Sequence, residues 1–173
     1  MKKTSLFVQL MLITGLAATI GCGGGGGGDA APQSTKVIVT LSTTGTLPAG
    51  TKIGGIQVTV NLPAGVTAKA SLYSAGSSTL VTDTGVITAS GTAAGSYTSG
   101  VYLANTAAST YKISMGIVNA NGFSAGEFAQ VSCDIAAGTI PTAADFSLSN
   151  FAVVDLNGGP LAGLTPGTTV AFQ

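Results

Sequence analysis

Apolar and polar residues alternate along most of the chain after residue 35, with the period of two that is typical of half-buried β-strands. The clearest segment is 56–62, where the even positions are apolar and the odd positions polar: Ile56, Val58, Val60 and Leu62 against Gln57, Thr59 and Asn61. Similar alternation predicts further strands at 36–44, 66–72, 97–104, 111–119, 127–135 and 168–172. Leu80-Val81, Val86-Ile87 and 151–156 are weaker strand candidates, and the segment 89–99 is too rich in small residues to assign.

Turn residues separate these segments. They predict turns at Leu47–Gly50, at Leu62–Gly65, and in a region bracketed by Asn121-Gly122 and Ala125-Gly126; Gly54-Gly55 predicts a bulge or a close backbone approach. No window has a strong helical period. About nine short strands separated by such turns predict an all-β protein, in which residues 36–173 form a single antiparallel β-sandwich.

The first 21 residues have a different character. Lys2 and Lys3 precede an uncharged apolar stretch, 6–20, that is shorter than the ~20 residues of a membrane-spanning helix. A positive start, a short apolar core and small residues after it are the three parts of a secretory signal peptide.

Cys22 directly follows Thr19-Ile20-Gly21, and this segment resembles the lipobox of bacterial lipoprotein precursors. The resemblance implies that residues 1–21 are removed, that Cys22 carries palmitate-type acyl chains, and that the protein is exported and anchored to the bacterial outer membrane or cell surface. Two or more acyl chains are what stable attachment requires. Residues 22–35, which begin with a run of glycines, are then a flexible tether.

Charge is sparse, and it excludes several classes of function. Only 7% of residues are charged; there are six lysines, six acids, and neither arginine nor histidine. Removal of Lys2 and Lys3 leaves an acidic excess, so no basic surface for nucleic acid is expected. If Cys22 is acylated, Cys133 cannot form an internal disulfide; it alternates with Val131 and Ile135, and we expect a buried, inert thiol.

The same composition argues against catalysis. Without histidine there is no Ser-His-Asp triad and no His-ligated zinc. The alternatives are a Ser-Lys pair at Lys112 and Ser114, which we interpret as a solvated strand face, and a carboxylate pair for glycoside hydrolysis, for which acids are few. Asp155-Leu156-Asn157-Gly158 has oxygen donors at alternate positions, as calcium loops do, but too few carboxylates, and a turn is favoured. We therefore expect no enzyme, metal or cofactor.

Three segments of residues 36–173 resemble cohesin-like modules of bacterial exported proteins: GIQVTVNLPAGV at 55–66, GEFAQV at 126–131 and FAVVDLNG at 151–158. The resemblance implies a jelly-roll sandwich that binds a dockerin or, in related modules, polysaccharide (carbohydrate binding).

Two functions of different classes follow. The first is a non-catalytic surface lipoprotein whose sandwich binds a protein or polysaccharide partner; the alternative is a structural subunit of an extracellular or cell-surface assembly, joined through edge strands. Because a sheet face of short polar side chains suits many modest contacts, we assign the candidate partner face to Gln57, Thr59 and Asn61.

The anchor prediction is tested with Cys22→Ser. We expect this variant to leave the membrane fraction or to accumulate as uncleaved precursor, because the thiol that accepts the lipid is gone. Fractionation and metabolic palmitate labelling are the measurements. Failure of the wild-type chain to incorporate palmitate at Cys22 would contradict the prediction.

Overall fold

The computed structural model describes residues 33–106 and 108–173. The predicted signal peptide, Cys22 and most of the predicted tether lie outside the described residues, so their assignment stays a prediction. The predicted fold class is confirmed, since the described residues form an all-β sandwich of two antiparallel sheets. In this part of the chain no helix has the length and apolar character needed to cross a membrane.

The described part of the chain contains eleven strands and two short 3-10 helices, at Gly91–Ala93 and Ala143–Asp145. The strands are β1 (Lys36–Gly45), β2 (Ile53–Leu62), β3 (Val66–Thr67), β4 (Ala70–Leu72), β5 (Leu80–Thr82), β6 (Ile87–Ala89), β7 (Tyr97–Asn105), β8 (Thr110–Phe123), β9 (Glu127–Ile135), β10 (Ser147–Asp155) and β11 (Leu164–Phe172).

The strands divide into a five-stranded and a six-stranded sheet. The five-stranded sheet has the order β11-β1-β9, and β3 and β6 both pair with β9 on its other side, at different stretches. The six-stranded sheet has the order β10-β2-β8-β7-β5-β4.

The core lies between the inner faces of the two sheets and is made by the predicted alternation. In the five-stranded sheet, Val37 pairs with Cys133 and Val39 with Val131. In the six-stranded sheet, Val58 pairs with Met115 and Val60 with Ile113. All of these side chains are buried in one apolar cluster. Each ladder therefore presents a continuous apolar surface to the other sheet.

The predicted single strand at 66–72 is wrong in its second half. Val66 and Ala68 are buried, as the alternation predicts, but Leu72 is exposed. The segment is broken into β3, which pairs with β9, and β4, which pairs with β5 of the opposite sheet. Because the chain changes sheets here, the alternation no longer refers to one common core face.

The turn region predicted between Asn121-Gly122 and Ala125-Gly126 is present but begins later than expected, because β8 continues through Asn121 and Gly122 to Phe123, which is buried. Gly122 has φ +66° and accommodates the local irregularity of the strand. The bulge predicted at Gly54-Gly55 is confirmed by register shifts on both sides of β2. The Asp155 carbonyl passes so close to Gly54 that no Cβ fits there.

The assignment of faces on β2 is tested with neighbouring residues. We expect Val58→Asp to unfold the domain, since an unpaired carboxylate in the apolar interior costs several kcal/mol out of a total of about 5–15. Gln57→Asp, on the exposed side of the same strand, should retain the wild-type melting temperature. Thermal unfolding followed by circular dichroism is the measurement, and equal losses in the two variants would contradict the assignment.

Candidate functional site

The predicted partner face lies on the outer side of the six-stranded sheet, but its central residue is not available to a partner. Thr59 is only 4% exposed. It lies between Ser149 of β10 and Ser114 of β8 in the sheet register, and the Asn150 side-chain amide donates a 3.3 Å hydrogen bond to its hydroxyl. The expectation that Thr59 is exposed is therefore wrong.

Asn61 is half-buried, and its side-chain N–H groups bond within the domain. Its amide nitrogen lies 3.2 Å from the Ser147 and Ser149 hydroxyls and 3.3 Å from the Ser147 carbonyl oxygen. Gln57 alone of the three predicted residues is exposed. The polar side chains of β10 thus cover one side of the predicted face, and Ser147-Leu148-Ser149-Asn150 was the sequence signal for this cover.

A strip of apolar residues, two of them exposed and one half-buried, lies beside Gln57 on the same sheet. Val154 of β10 pairs with Gly55 of β2, Gly55 with Val118 of β8, and Val118 with Tyr97 of β7. We call these four residues the apolar row. Val118 is 53% exposed and Tyr97 is 70% exposed. The row crosses four adjacent strands almost at right angles to their direction.

Gly55 lies in the middle of the apolar row, and its lack of a side chain lets the residues on either side of it meet. A Cβ placed at this residue would lie 3.3 Å from a methyl group of Val118 and 3.3 Å from a methyl group of Val154. The two valines therefore approach each other over the glycine, and the row is continuous from β10 to β7. The next set of paired residues across the same four strands is Ala152, Gln57, Gly116 and Ser99. These residues are small or polar and leave the row accessible.

Leu156 extends the apolar surface past the end of β10. Together with Val154, Val118 and Tyr97 of the row it lines a shallow depression of about 640 Å³. The Asp155 carboxylate fixes the turn that carries Leu156, because one of its oxygens accepts hydrogen bonds of 2.8 Å from the backbone N–H groups of Asn157 and Gly159. The segment Asp155–Gly158 is thus a turn in which this oxygen already has two donors.

A second depression lies on the same sheet and shares Tyr97 with the apolar row. We call it the tyrosine groove; it has a volume of about 400 Å³ and is lined by Tyr73, residues 81–85, Ile87 and residues 97–100. Residues 97–100, from the beginning of the strand predicted at 97–104, belong to β7. The two depressions therefore adjoin at Tyr97.

The ionisable residues considered from the sequence are dispersed. Lys112 and Ser114 lie on the outer side of β8, opposite Asn61 and Thr59 of β2. Within residues 33–106 and 108–173, no group of three or more Cys, Asp or Glu side chains is close enough to hold a metal ion. The described residues thus bring together exposed apolar and hydroxyl groups, which suit binding.

Cys133 has the predicted buried environment. It lies in the core with 2% exposure. Burial raises the pKa of the Cys133 thiol to about 12, and the neighbouring Asp134 carboxylate contributes to the increase. The thiolate is the nucleophilic form, so this residue is unsuited to thiol chemistry near neutral pH.

Comparisons with known proteins assign no family. No family model and no curated protein matches the chain. Among solved structures, the chain is similar to a non-cellulosomal cohesin from the hyperthermophilic archaeon Archaeoglobus fulgidus, with 17% identity, 75% of each chain covered and a TM-score of 0.45. At this identity and score the likeness says nothing about which partner the chain binds.

The thiol environment has a measurable consequence. We expect Cys133 to resist 5,5′-dithiobis(2-nitrobenzoic acid) at pH 8 in the native protein and to react once guanidinium unfolds it.

Because the folded pKa is raised from 9.0 to about 12, the stability contributed by the neutral thiol is complete below pH 9 and is lost as the pH rises towards 12. Cys133→Ala should show a weaker loss over that range, and rapid native labelling would contradict this account.

Proposed function

We propose that this chain is a surface lipoprotein whose β-sandwich is a non-catalytic module for binding a protein or polysaccharide partner. The observation that carries the proposal is the apolar row, a continuous strip in which Val118 and Tyr97 are exposed next to each other, on a sheet that is otherwise rich in small polar residues. Exposed apolar side chains that adjoin one another, rather than standing singly, are typical of interaction surfaces.

A protein partner fits the apolar row best. Tyr97 supplies a large exposed aromatic side chain with few rotatable bonds, and aromatic residues are enriched at the centres of protein interfaces. Gln57 and Ser99 lie beside the row and supply hydrogen-bonding groups at its rim. The docking site proposed here therefore keeps Gln57 from the predicted face and moves its centre to Val118.

The proposed location rests on the lipobox and the tether. Acylation of Cys22 would attach the chain to the outer membrane or cell surface, and the glycine-rich segment would let the domain turn toward its partner. Gln33, at the beginning of the described residues, supports an ordered end to the tether. Its side chain accepts a 3.3 Å hydrogen bond from the Gly138 N–H and donates one of 2.6 Å to the Thr139 carbonyl.

The edge strands favour a discrete module over a structural subunit. β3, β4 and β6 have two or three residues each, and β10 has two register shifts. β11 contains Pro166, which lacks a backbone donor. Short, bulged or proline-bearing edges are features by which sheet proteins avoid pairing with further copies.

The docking proposal is tested with Val118→Asp in the full-length protein. We expect a charge in the apolar row to reduce partner capture from cell-surface extract by about 10-fold or more, since central interface residues commonly contribute more than 1 kcal/mol. Thr67→Asp is the matched control, because Thr67 is exposed on the opposite sheet. Capture should change little with ionic strength, as the row has no charges to screen.

Two results would contradict the proposal. Equal capture by Val118→Asp and wild type would exclude the apolar row as the docking site. Open-ended growth of the purified protein in sedimentation velocity, in place of a discrete species, would support the structural subunit instead.

A further inference from the structure

The tyrosine groove results from the way the chain passes between the two sheets. β5 pairs with β7 only at Leu80–Tyr102 and Val81–Val101. The chain then turns at 83–86, where the Val86 N–H donates to the Asp83 carbonyl, and β6 joins the five-stranded sheet. The first half of β7 therefore has β8 on one side and the groove on the other.

The floor of the groove is held in place by packing and hydrogen bonds. A Cβ at Gly100 would overlap the Ile87 side chain and would lie 2.9 Å from the Thr82 hydroxyl. The Thr82 hydroxyl donates to the Gly100 carbonyl, and the Thr98 hydroxyl donates to the Ile87 carbonyl, each at 3.4 Å. The gap between β5 and β7 is therefore built into the fold and exists without a ligand.

Two tyrosines line the groove with their rings in solvent. Tyr73 is 74% exposed and Tyr97 is 70% exposed. The other two tyrosines, Tyr102 and Tyr111, stack on each other with ring centroids 6.2 Å apart and contribute to the core. The chain contains no tryptophan, so tyrosine is its largest available flat apolar surface.

Between the tyrosines the groove offers oxygen atoms and one oriented carboxylate. The Ser71 hydroxyl donates a 2.7 Å hydrogen bond to one Asp83 carboxylate oxygen, which orients the group and leaves the other oxygen for a ligand. The Ser99 and Thr84 hydroxyls lie in the same lining. No lysine is part of that lining. Lys36 and Lys69 line an adjoining depression with Ser132 and Asp134, which shares Thr84 and Gly85 with the groove.

We propose that the tyrosine groove binds a neutral glycan chain, an inference that rests on the binding function proposed above and assigns it a second site. The apolar face of a sugar ring stacks on an exposed aromatic ring, and its hydroxyls donate strongly to a carboxylate. The volume of about 400 Å³ falls within the ~300–1,000 Å³ of small-molecule sites. The Asp83 charge and the lack of lysine in the lining disfavour an acidic glycan.

The test uses full-length protein in a detergent without a sugar headgroup, titrated with cellohexaose, laminarihexaose, xylohexaose, mannohexaose and hexagalacturonate by calorimetry. We expect at least one neutral hexasaccharide to bind and hexagalacturonate not to bind. Tyr73→Ala should weaken that binding about 10-fold or more, and Asp83→Asn should weaken it while keeping the Ser71 contact. Because Tyr73 is exposed, its replacement leaves the core unchanged.

Val118→Asp separates this inference from the proposed protein-docking site, since Val118 lines the other depression. We expect it to retain glycan affinity while it loses protein capture. Binding of none of the neutral hexasaccharides, equal affinity in Tyr73→Ala and wild type, or comparable binding of hexagalacturonate would each overturn the inference. If protein capture still depends on Val118 in that case, the binding-module function stands without the glycan site.

Discussion

The contact between the inner faces of the two sheets is the interaction on which the rest of this structure depends. The described chain has no disulfide, and its cysteine is itself a core residue, so stability comes from apolar burial. The ladders of β1 with β9 and β2 with β8 supply most of that surface. The longer remaining strands pair directly with these four: β11 with β1, β10 with β2 and β7 with β8.

The outer face of the six-stranded sheet differs between its two halves because its neighbours differ. On the β10 side, serine and asparagine side chains bond to Thr59 and Asn61, so these polar groups are satisfied within the domain. On the β7 side, Tyr97 and Val118 have no such cover and remain exposed. A partner that docks on the second half displaces water from apolar groups and need not break hydrogen bonds of the domain.

The passage of the chain between sheets explains the tyrosine groove. A strand that pairs along its full length leaves no gap, but β5 pairs with β7 at only two positions before the chain leaves the sheet. Ile87 then packs beneath Gly100 from the other side and keeps the gap open. Tyr97 lies where this gap meets the apolar row, so the two proposed sites are adjacent and share one side chain.

The sequence by itself determined the fold class and the central core, because a period-two pattern such as Val37, Val39 and Leu41 carries its own information about which face is buried. It also placed the glycine pair at Gly54 correctly. Only the tertiary structure decided which outward residues meet solvent: Thr59 and Val118 are both outward-facing, yet Asn150 covers the first and nothing in the described structure covers the second. The same applies to Leu72: its apolar side chain is exposed because the chain changes sheets at Lys69, and its residue type alone does not indicate this change. Burial of an outward side chain depends on contacts with strands that are distant in sequence, and the local alternation of apolar and polar residues carries no information about those contacts.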